Sequence, residues 1–160
     1  MRASSGPSGR SRFRGLVSVL LILALVACGG DDELDSLRQE RLADLASAVE
    51  EGQLAEVRRS ETGAGTALGK PVRAKLVITY AVEADPASAL QAAADVAEED
   101  GYTLQGPAET SQGTVVEGEK LTGSQPILLG LTLLGPEESD ASGVDGPALV
   151  VSLTLGDARS

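Results

Sequence analysis

The chain of 160 residues contains one cysteine, Cys28, in the sequence LVACGG, and no histidine. Without histidine, catalytic triads, metal sites and general bases built on imidazole are excluded. The chain has 24 Asp and Glu residues, and paired acids can hydrolyse glycans. Because acids are so frequent here, pairs of them must arise by chance. We therefore predict a protein that is not an enzyme, with no catalytic, cofactor-binding or metal-binding residues.

The residues before Cys28 have the pattern of an export signal. Four arginines within residues 2–14 precede the run GLVSVLLILALVA, in which Ser18 is the one polar side chain. As a helix, residues 16–27 would extend ~18 Å, which is short of the ~30 Å hydrocarbon core of a bilayer. The pattern therefore favours a secretory signal over a membrane span.

Four residues at the end of this run carry a resemblance to a known class. Leu25, Val26, Ala27 and Cys28 resemble the lipobox of bacterial lipoproteins, an aliphatic residue and two small residues before an obligatory cysteine. The resemblance covers residues 1–28. It implies a signal peptide of residues 1–27, cleavage before Cys28, and a diacylglycerol on the Cys28 sulfur. The protein would then be lipid-anchored in the cell membrane, on its extracytoplasmic face.

A lipid on Cys28 has two physical consequences. Each buried CH₂ contributes ~0.8 kcal/mol, so two or three acyl chains make attachment permanent. Using the only thiol in this way also leaves no cysteine for a disulfide, so the fold must be held by its own core. If Cys28 is not processed, the alternative is an uncleaved, signal-anchored assembly subunit.

The charge of the chain limits its partners. After Cys28 there are 24 acidic residues against 9 Lys and Arg, a net charge of −15. Such a chain is repelled by nucleic acid and by anionic headgroups. We therefore expect no nucleic-acid partner, and contact with the membrane through the lipid anchor.

Residues 28–71 are predicted to lie outside the main domain. Residues 28–32 would form a lipidated tether, and residues 33–60 an amphipathic helical segment with an apolar stripe. That stripe contains Leu34, Leu37, Leu42, Leu45 and Val49. Residues 61–71, ETGAGTALGKP, are predicted to be a Gly-rich linker, because their glycine and lysine spacing does not match a phosphate-binding loop.

Residues 72–157 are predicted to form a small α+β domain. Residues 72–83 alternate between apolar and polar side chains, which is typical of a strand with one buried face. A helix should follow, with Asp85 as N-cap, Pro86 in its first turn and Gly101 after its end. Further strands are expected at residues 102–105, 114–120, 127–134 and 148–155. The result would be a two-layer sandwich of a four- or five-stranded, mainly antiparallel sheet and one packed helix, preceded by the N-terminal amphipathic helix.

Two features of this domain could bear on function. Glu138, Asp140, Ser142 and Gly143 partly match a calcium loop, but Leu149 stands where the bidentate Glu should be, so a solvated loop is favoured. The strands of residues 127–134 and 148–155 each have a second face, opposite the apolar one. These second faces, with Leu128, Gly130, Thr132 and Leu134 and with Val150, Ser152 and Thr154, carry almost no charge. We expect the helix of residues 34–49 to cover this surface; the alternative is a partner protein.

The sequence thus favours a membrane-anchored interaction or structural module of the cell envelope, with an envelope protein as its candidate partner. The alternative is a carrier or sensor that holds an apolar small molecule between sheet and helix. That function requires an apolar cavity of at least ~300 Å³.

Replacing Cys28 by serine tests the lipid anchor. Because the hydroxyl cannot accept the diacylglycerol thioether, we expect Cys28→Ser to accumulate as uncleaved precursor that no longer incorporates labelled palmitate. Unchanged labelling in this variant would contradict the lipobox assignment.

Overall fold

The computed structural model of the protein describes residues 30–40, 42, 45, 54–83 and 85–157. These residues form a seven-stranded antiparallel sheet with helices packed against it, and a separate two-stranded hairpin. The strands are β1 (Leu54–Thr62), β2 (Gly65–Ala67), β3 (Lys70–Val72), β4 (Lys75–Val82), β5 (Thr103–Leu104), β6 (Ala108–Thr110), β7 (Gly113–Thr122), β8 (Gln125–Leu134) and β9 (Ala148–Leu155). The helices are α1 (Gly30–Arg38), α2 (Pro86–Glu99) and α3 (Pro136–Ala141).

The strand order of the sheet is β1-β4-β9-β8-β7-β5, with β6 also paired to β7, while β2 and β3 form the hairpin. The α+β class is confirmed, and so is the antiparallel pairing of β8 with β9, in which Ile127 pairs with Leu155 and Leu134 with Ala148. The predicted count of four or five strands is wrong. It omits β1 and β6, neither of which alternates between buried and exposed side chains.

The ends of α2 follow the predicted capping chemistry. The Asp85 carboxylate accepts hydrogen bonds from the Ser88 backbone N–H at 2.8 Å and from the Ser88 hydroxyl at 2.9 Å. These two bonds hold the pKa of Asp85 below its ordinary value. At the other end Asp100 is the C-cap and Gly101 has a φ of +94°, a conformation that glycine adopts without strain. Local sequence therefore determines where this helix begins and ends.

One face of the sheet, which we call the core face, packs against the helices. The small side chains of α2 let its backbone lie close to the strands, and five of its residues are buried, Ala89, Leu90, Ala93, Ala94 and Ala97. Alternate residues of the three central strands join them in one apolar cluster. They are Leu76, Ile78, Tyr80 and Val82 of β4, Ile127, Leu129 and Leu131 of β8, and Leu149, Val151, Leu153 and Leu155 of β9.

The predicted helical segment of residues 33–60 is only partly correct. Helix α1 begins at Gly30, inside the predicted tether, and residues 54–62 are strand β1. This strand pairs with β4 from Leu54 opposite Val82 to Thr62 opposite Lys75, with a bulge between Glu56 and Arg58. Because β1 is an edge strand, both of its faces are largely exposed and its sequence carries no period of two.

The predicted linker of residues 61–71 is also wrong. Thr62 still belongs to β1, and β2 and β3 pair as a hairpin through Gly65 opposite Val72 and Ala67 opposite Lys70. The glycines in this segment therefore shape a hairpin and its flanks. The large sheet begins with β1, well before residue 72.

The apolar stripe of the N-terminal segment belongs to the core. Leu34, Leu37, Leu42 and Leu45 are all buried, as the helical period predicted, whereas Val49 lies outside the described residues. An ion pair of 2.5 Å between Arg38 and Glu61 joins the end of α1 to β1. Glu61 lies opposite Leu76 in the strand register, so this contact is on the core face. The N-terminal segment and α2 therefore share one face of the sheet.

Truncating one leucine of this segment tests its place in the core. Leu37 is fully buried, so we expect Leu37→Ala to lower the free energy of unfolding by about 2–5 kcal/mol through lost burial and a residual cavity. Leu121→Ala is the matched control, because Leu121 is 59% exposed. Equal and small changes in both variants, measured by chemical denaturation, would show that α1 is not part of the core.

Candidate functional site

The second face of the sheet, opposite the core face, is the first candidate site. Strand register defines its central part, which we call the open face. Across β4, β9 and β8, Thr79 aligns with Val150 and Thr132, and Val77 with Ser152 and Gly130. The open face consists of Val77, Thr79, Leu128, Gly130, Thr132, Val150, Ser152 and Thr154.

The prediction that the helix of residues 34–49 covers this surface is wrong for its described part. Leu37, Leu42 and Leu45 pack in the cluster on the core face. On the open face most side chains are partly exposed, and Leu128 has an exposed fraction of 36%. The reason is that the N-terminal leucines and the small side chains of α2 fit side by side on the core face.

The eight residues of the open face are uncharged, and several of them can form hydrogen bonds. Its hydroxyls come from Thr79, Thr132, Thr154 and Ser152, and the Ser152 hydroxyl lies 3.4 Å from the Gly130 carbonyl oxygen. A Cβ at Gly130 would lie 2.7 Å from the Ser152 Oγ, so any larger residue at position 130 would displace the Ser152 side chain. Charged residues border it: Lys75 of β4 lies opposite Thr154 at one end, and Arg58 opposite Thr79 and Glu117 opposite Gly130 lie on the flanking strands.

A second candidate is a cleft of about 490 Å³ between α2 and the strands β5 to β8. Leu90, Ala94, Leu104, Val116 and Leu133 give it an apolar floor. Its polar lining residues are Gln91, Glu98, Gln105, Glu109 and Thr114. The volume lies within the 300–1,000 Å³ typical of small-molecule sites, although one side of the cleft is open to solvent.

A charged cluster ties the N-terminal segment to the end of α2. The Lys120 ammonium lies 2.8 Å from the Glu40 carboxylate and 3.2 Å from the Asp100 carboxylate. It also lies 5.4 Å from the centre of the Tyr102 ring, within the range of a cation–π contact. Burial alone would lower the pKa of Lys120, but hydrogen bonds to Glu40 and Asp100 together raise it. Lys120 is therefore a protonated structural cation at neutral pH.

The phenol of Tyr102 is held in its neutral form by the same cluster. Burial raises the pKa of Tyr102, and the nearby carboxylates of Glu40 and Asp100 raise it further. A tyrosine with a raised pKa is a poor proton donor and does not ionise at neutral pH. The cluster thus joins residues 40, 100, 102 and 120 through two ion pairs and a cation–π contact.

The residues predicted from sequence to carry function are only partly visible in the structure. Leu25, Val26, Ala27 and Cys28 lie outside the described residues. Glu138 and Asp140 of the acidic loop lie in the short helix α3, and Ser142 is its C-cap. The described residues contain no group of three or more carboxylates or thiols arranged to hold a metal ion. No helix among them is long and apolar enough to cross a membrane.

Sequence reasoning found the uncharged strand pattern and raised a cavity between sheet and helix, but it did not identify the lining of the cleft or the Lys120 cluster. The cleft depends on where α2 crosses the sheet, and Glu40 and Lys120 are 80 residues apart in the chain. Gly106 and Pro107 separate the short strands β5 and β6, and they are the one local sequence signal that this edge of the sheet is irregular.

Comparison of the chain with known protein families, with curated proteins and with solved structures finds no match. Function must therefore be inferred from the sequence and from the two surfaces described above.

Adding a charge to each side of β8 tests whether the open face is uncovered. Thr132 is partly exposed on the open face, so Thr132→Lys should change the free energy of unfolding by no more than about 0.5 kcal/mol. Leu131 is fully buried on the core face, so Leu131→Lys should cost about 4 kcal/mol or more by burying an unpaired charge. Thermal melting of both variants compares them directly. A large loss of stability in Thr132→Lys would mean that another part of the chain covers this face.

Proposed function

We propose that this protein is a lipid-anchored, extracytoplasmic interaction module of the cell envelope, without catalytic activity. The lipobox residues Leu25 to Cys28 support the anchor, which would hold the protein at the membrane through a diacylglycerol on Cys28. The membrane is then a partner through lipid, and an envelope protein is the partner of the folded part.

The observation that carries this proposal is the open face. Its eight residues across three strands include no charged side chain, and Lys75 at the start of β4 is the one charge that these three strands add to this face. The net charge of the chain after Cys28 is −15. Extended uncharged sheet surfaces on soluble domains tend to be covered, because exposed ones favour association with other chains. Within the described residues, α1 and α2 both pack on the core face. We infer that a protein partner covers the open face.

The chemistry of the open face suits a protein partner. Valine, leucine and threonine side chains offer apolar area for burial, while the serine and threonine hydroxyls can pair with backbone groups. Arg58 and Glu117, on the flanking strands, would lie at the rim of such an interface, where charges set orientation more than affinity.

The state of Lys120 supports a function that is not catalytic. A lysine acts as nucleophile or base only when its pKa is lowered, whereas the carboxylates of Glu40 and Asp100 raise the pKa of Lys120. This lysine instead stabilises the fold by joining residue 40 to the end of α2.

The cleft favours a second candidate function, a carrier or sensor of an apolar small molecule. Its volume of about 490 Å³ exceeds the ~300 Å³ that such a function requires. The floor around Leu90, Ala94 and Val116 would accept an apolar group, while the open side would leave part of the ligand in water.

Crosslinking in intact cells distinguishes the two functions. If the open face binds an envelope protein, Thr132→Lys should abolish the crosslinked adduct of the lipidated chain while leaving its melting temperature unchanged. Ser111→Lys is the control for charge, because Ser111 is exposed in the turn between β6 and β7. Ala94→Phe, which fills the cleft, should leave the adduct intact.

The opposite pattern would favour the carrier. In that case Ala94→Phe should abolish binding of an uncharged naphthylamine dye, whereas Ala92→Phe, on the same helix but outside the cleft lining, should not. An adduct that survives Thr132→Lys would contradict the interaction module.

A further inference from the structure

Strand β9 lies in the middle of the five long strands of the sheet. The order β1-β4-β9-β8-β7 places β4 and β8 on either side of it, and β1 and β7 one strand further out. The open face extends over the inner three strands, β4, β9 and β8. It is therefore flanked by β1 on one side and by β7 on the other, each at the same distance from β9.

The two flanks carry opposite charge where they border the open face. On the β1 side Arg58 lies opposite Thr79, and Lys75 begins the neighbouring strand β4. On the β7 side Glu117 lies opposite Gly130. All three charged side chains are exposed, and none of them forms an ion pair within the described part of the chain. Each flank can therefore pair with a surface of the opposite charge.

The other charges of β1 and β7 do not change this pattern. Glu119 lies opposite Leu128, so it adds a second acid to the β7 flank of the open face. The rest align with residues of the core face: Glu56, Arg59 and Glu61 with Tyr80, Ile78 and Leu76, and Lys120 with Ile127. The open face thus has a cationic flank and an anionic flank.

Opposite flanks on either side of a central strand make the open face self-complementary. If a second copy packs face to face about a twofold axis parallel to β9, then β9 lies over β9, β4 over β8 and β1 over β7. Arg58 and Glu117 differ by one step of two residues in the strand register, about 7 Å, so each arginine would lie near the glutamate of the other copy. Twofold interfaces use the same patch on both copies in this way.

The other face-to-face orientation is unfavourable. A twofold axis across the strands would place β1 over β1 and β7 over β7. Arg58 of one copy would then lie beside Lys75 of the other, and the acids of β7 would lie over acids. Like charges at an interface cost free energy and exclude the wrong orientation. The flanking charges therefore select the axis along β9.

The sheet offers enough area for such an interface. Five strands at ~4.8 Å spacing and eight residues at ~3.4 Å rise give a face of about 24 by 27 Å. Two copies packed on this face would bury roughly 1,300 Å², above the ~1,000 Å² that a stable interface needs.

We propose that the protein that covers the open face is a second copy of this chain, packed face to face about a twofold axis along β9. The dimer rests on the proposed interaction module, because it names the partner of the same face. The two sheets would lie ~10 Å apart with their strands crossing at about 30°. Arg58 and Glu117 would pair at both rims.

The net charge of −15 per copy opposes this association at long range. Many of the acids lie beyond the ends of β4 and β8, outside the paired strands, such as Glu83, Asp85, Glu137 and Glu138. In water at physiological salt, screening over ~8 Å limits their repulsion. The proposed anchor would also confine the copies to one plane and raise their effective concentration.

Crosslinking through the central strand tests the axis. Ser152 of β9 would lie close to its own copy across the interface, within reach of a short bismaleimide. We expect the full lipidated chain with Ser152→Cys, in phosphatidylcholine vesicles, to give an adduct of twice the chain mass. Ser111→Cys, in the turn between β6 and β7, should give none. The parent chain is the control for a free thiol at Cys28.

Charge reversal tests the pairing across the rims. In the Ser152→Cys chain, Arg58→Glu or Glu117→Lys should lower the adduct yield roughly tenfold, because both rims then hold like charges. The melting temperature should not change, since both side chains are exposed. A mixture of the two variants should restore the adduct, because the reversed charges then face each other. Absence of the adduct, or an adduct that neither reversal weakens, overturns the dimer.

Crosslinking in intact cells separates the dimer from the interaction module. An adduct of two copies that Thr132→Lys abolishes supports both. An adduct with a different protein that Thr132→Lys abolishes overturns the dimer and leaves the interaction module standing. If every adduct survives Thr132→Lys, both proposals are overturned.

Discussion

The fold depends on how one face of a seven-stranded sheet is buried. Leu76, Ile78 and Tyr80 of β4 are fully buried, and they need cover from more than one helix. Helix α2 gives part of this cover, and because its inward side chains are mostly alanine it leaves space beside it. The N-terminal leucines, Leu37, Leu42 and Leu45, fill the rest of the core face. Both α2 and the N-terminal segment therefore pack on the core face. Neither is left to cover the opposite face of the sheet, which is why the open face is partly exposed.

Much of this architecture could be predicted from local sequence. Asp85, Pro86 and Gly101 mark the ends of α2 because capping depends on neighbours in the chain, and the alternation in β4, β8 and β9 follows from their one buried face. Strand β1 could not be predicted in this way. Its sequence is charged on both sides, and it is a strand because it pairs with β4. Neither strand propensity nor a hydrophobic period of two reveals a pairing between segments that are distant in the chain.

The candidate sites could likewise be predicted from local sequence only in part. The absence of charge on the open face is visible in the sequence, because it needs only the period of two in β8 and β9. Whether a helix covers that face depends on how α1 and α2 pack on the core face. Packing between elements far apart in the chain cannot be predicted from local sequence. The cleft and the Lys120 cluster likewise arise between elements far apart in the chain.

The exposed edge of β1 has a consequence if the proposed lipid anchor holds the protein on a membrane. Tethering confines copies to two dimensions, where neighbours meet often, and a flat edge strand would let sheets join into chains. The bulge between Glu56 and Arg58 interrupts the regular spacing of backbone donors and acceptors along this edge. The ion pair of 2.8 Å between Arg59 and Glu56 adds charge beside it. Strand β1 can therefore complete its own sheet while resisting edge-to-edge polymerisation, which the proposed anchor would otherwise favour.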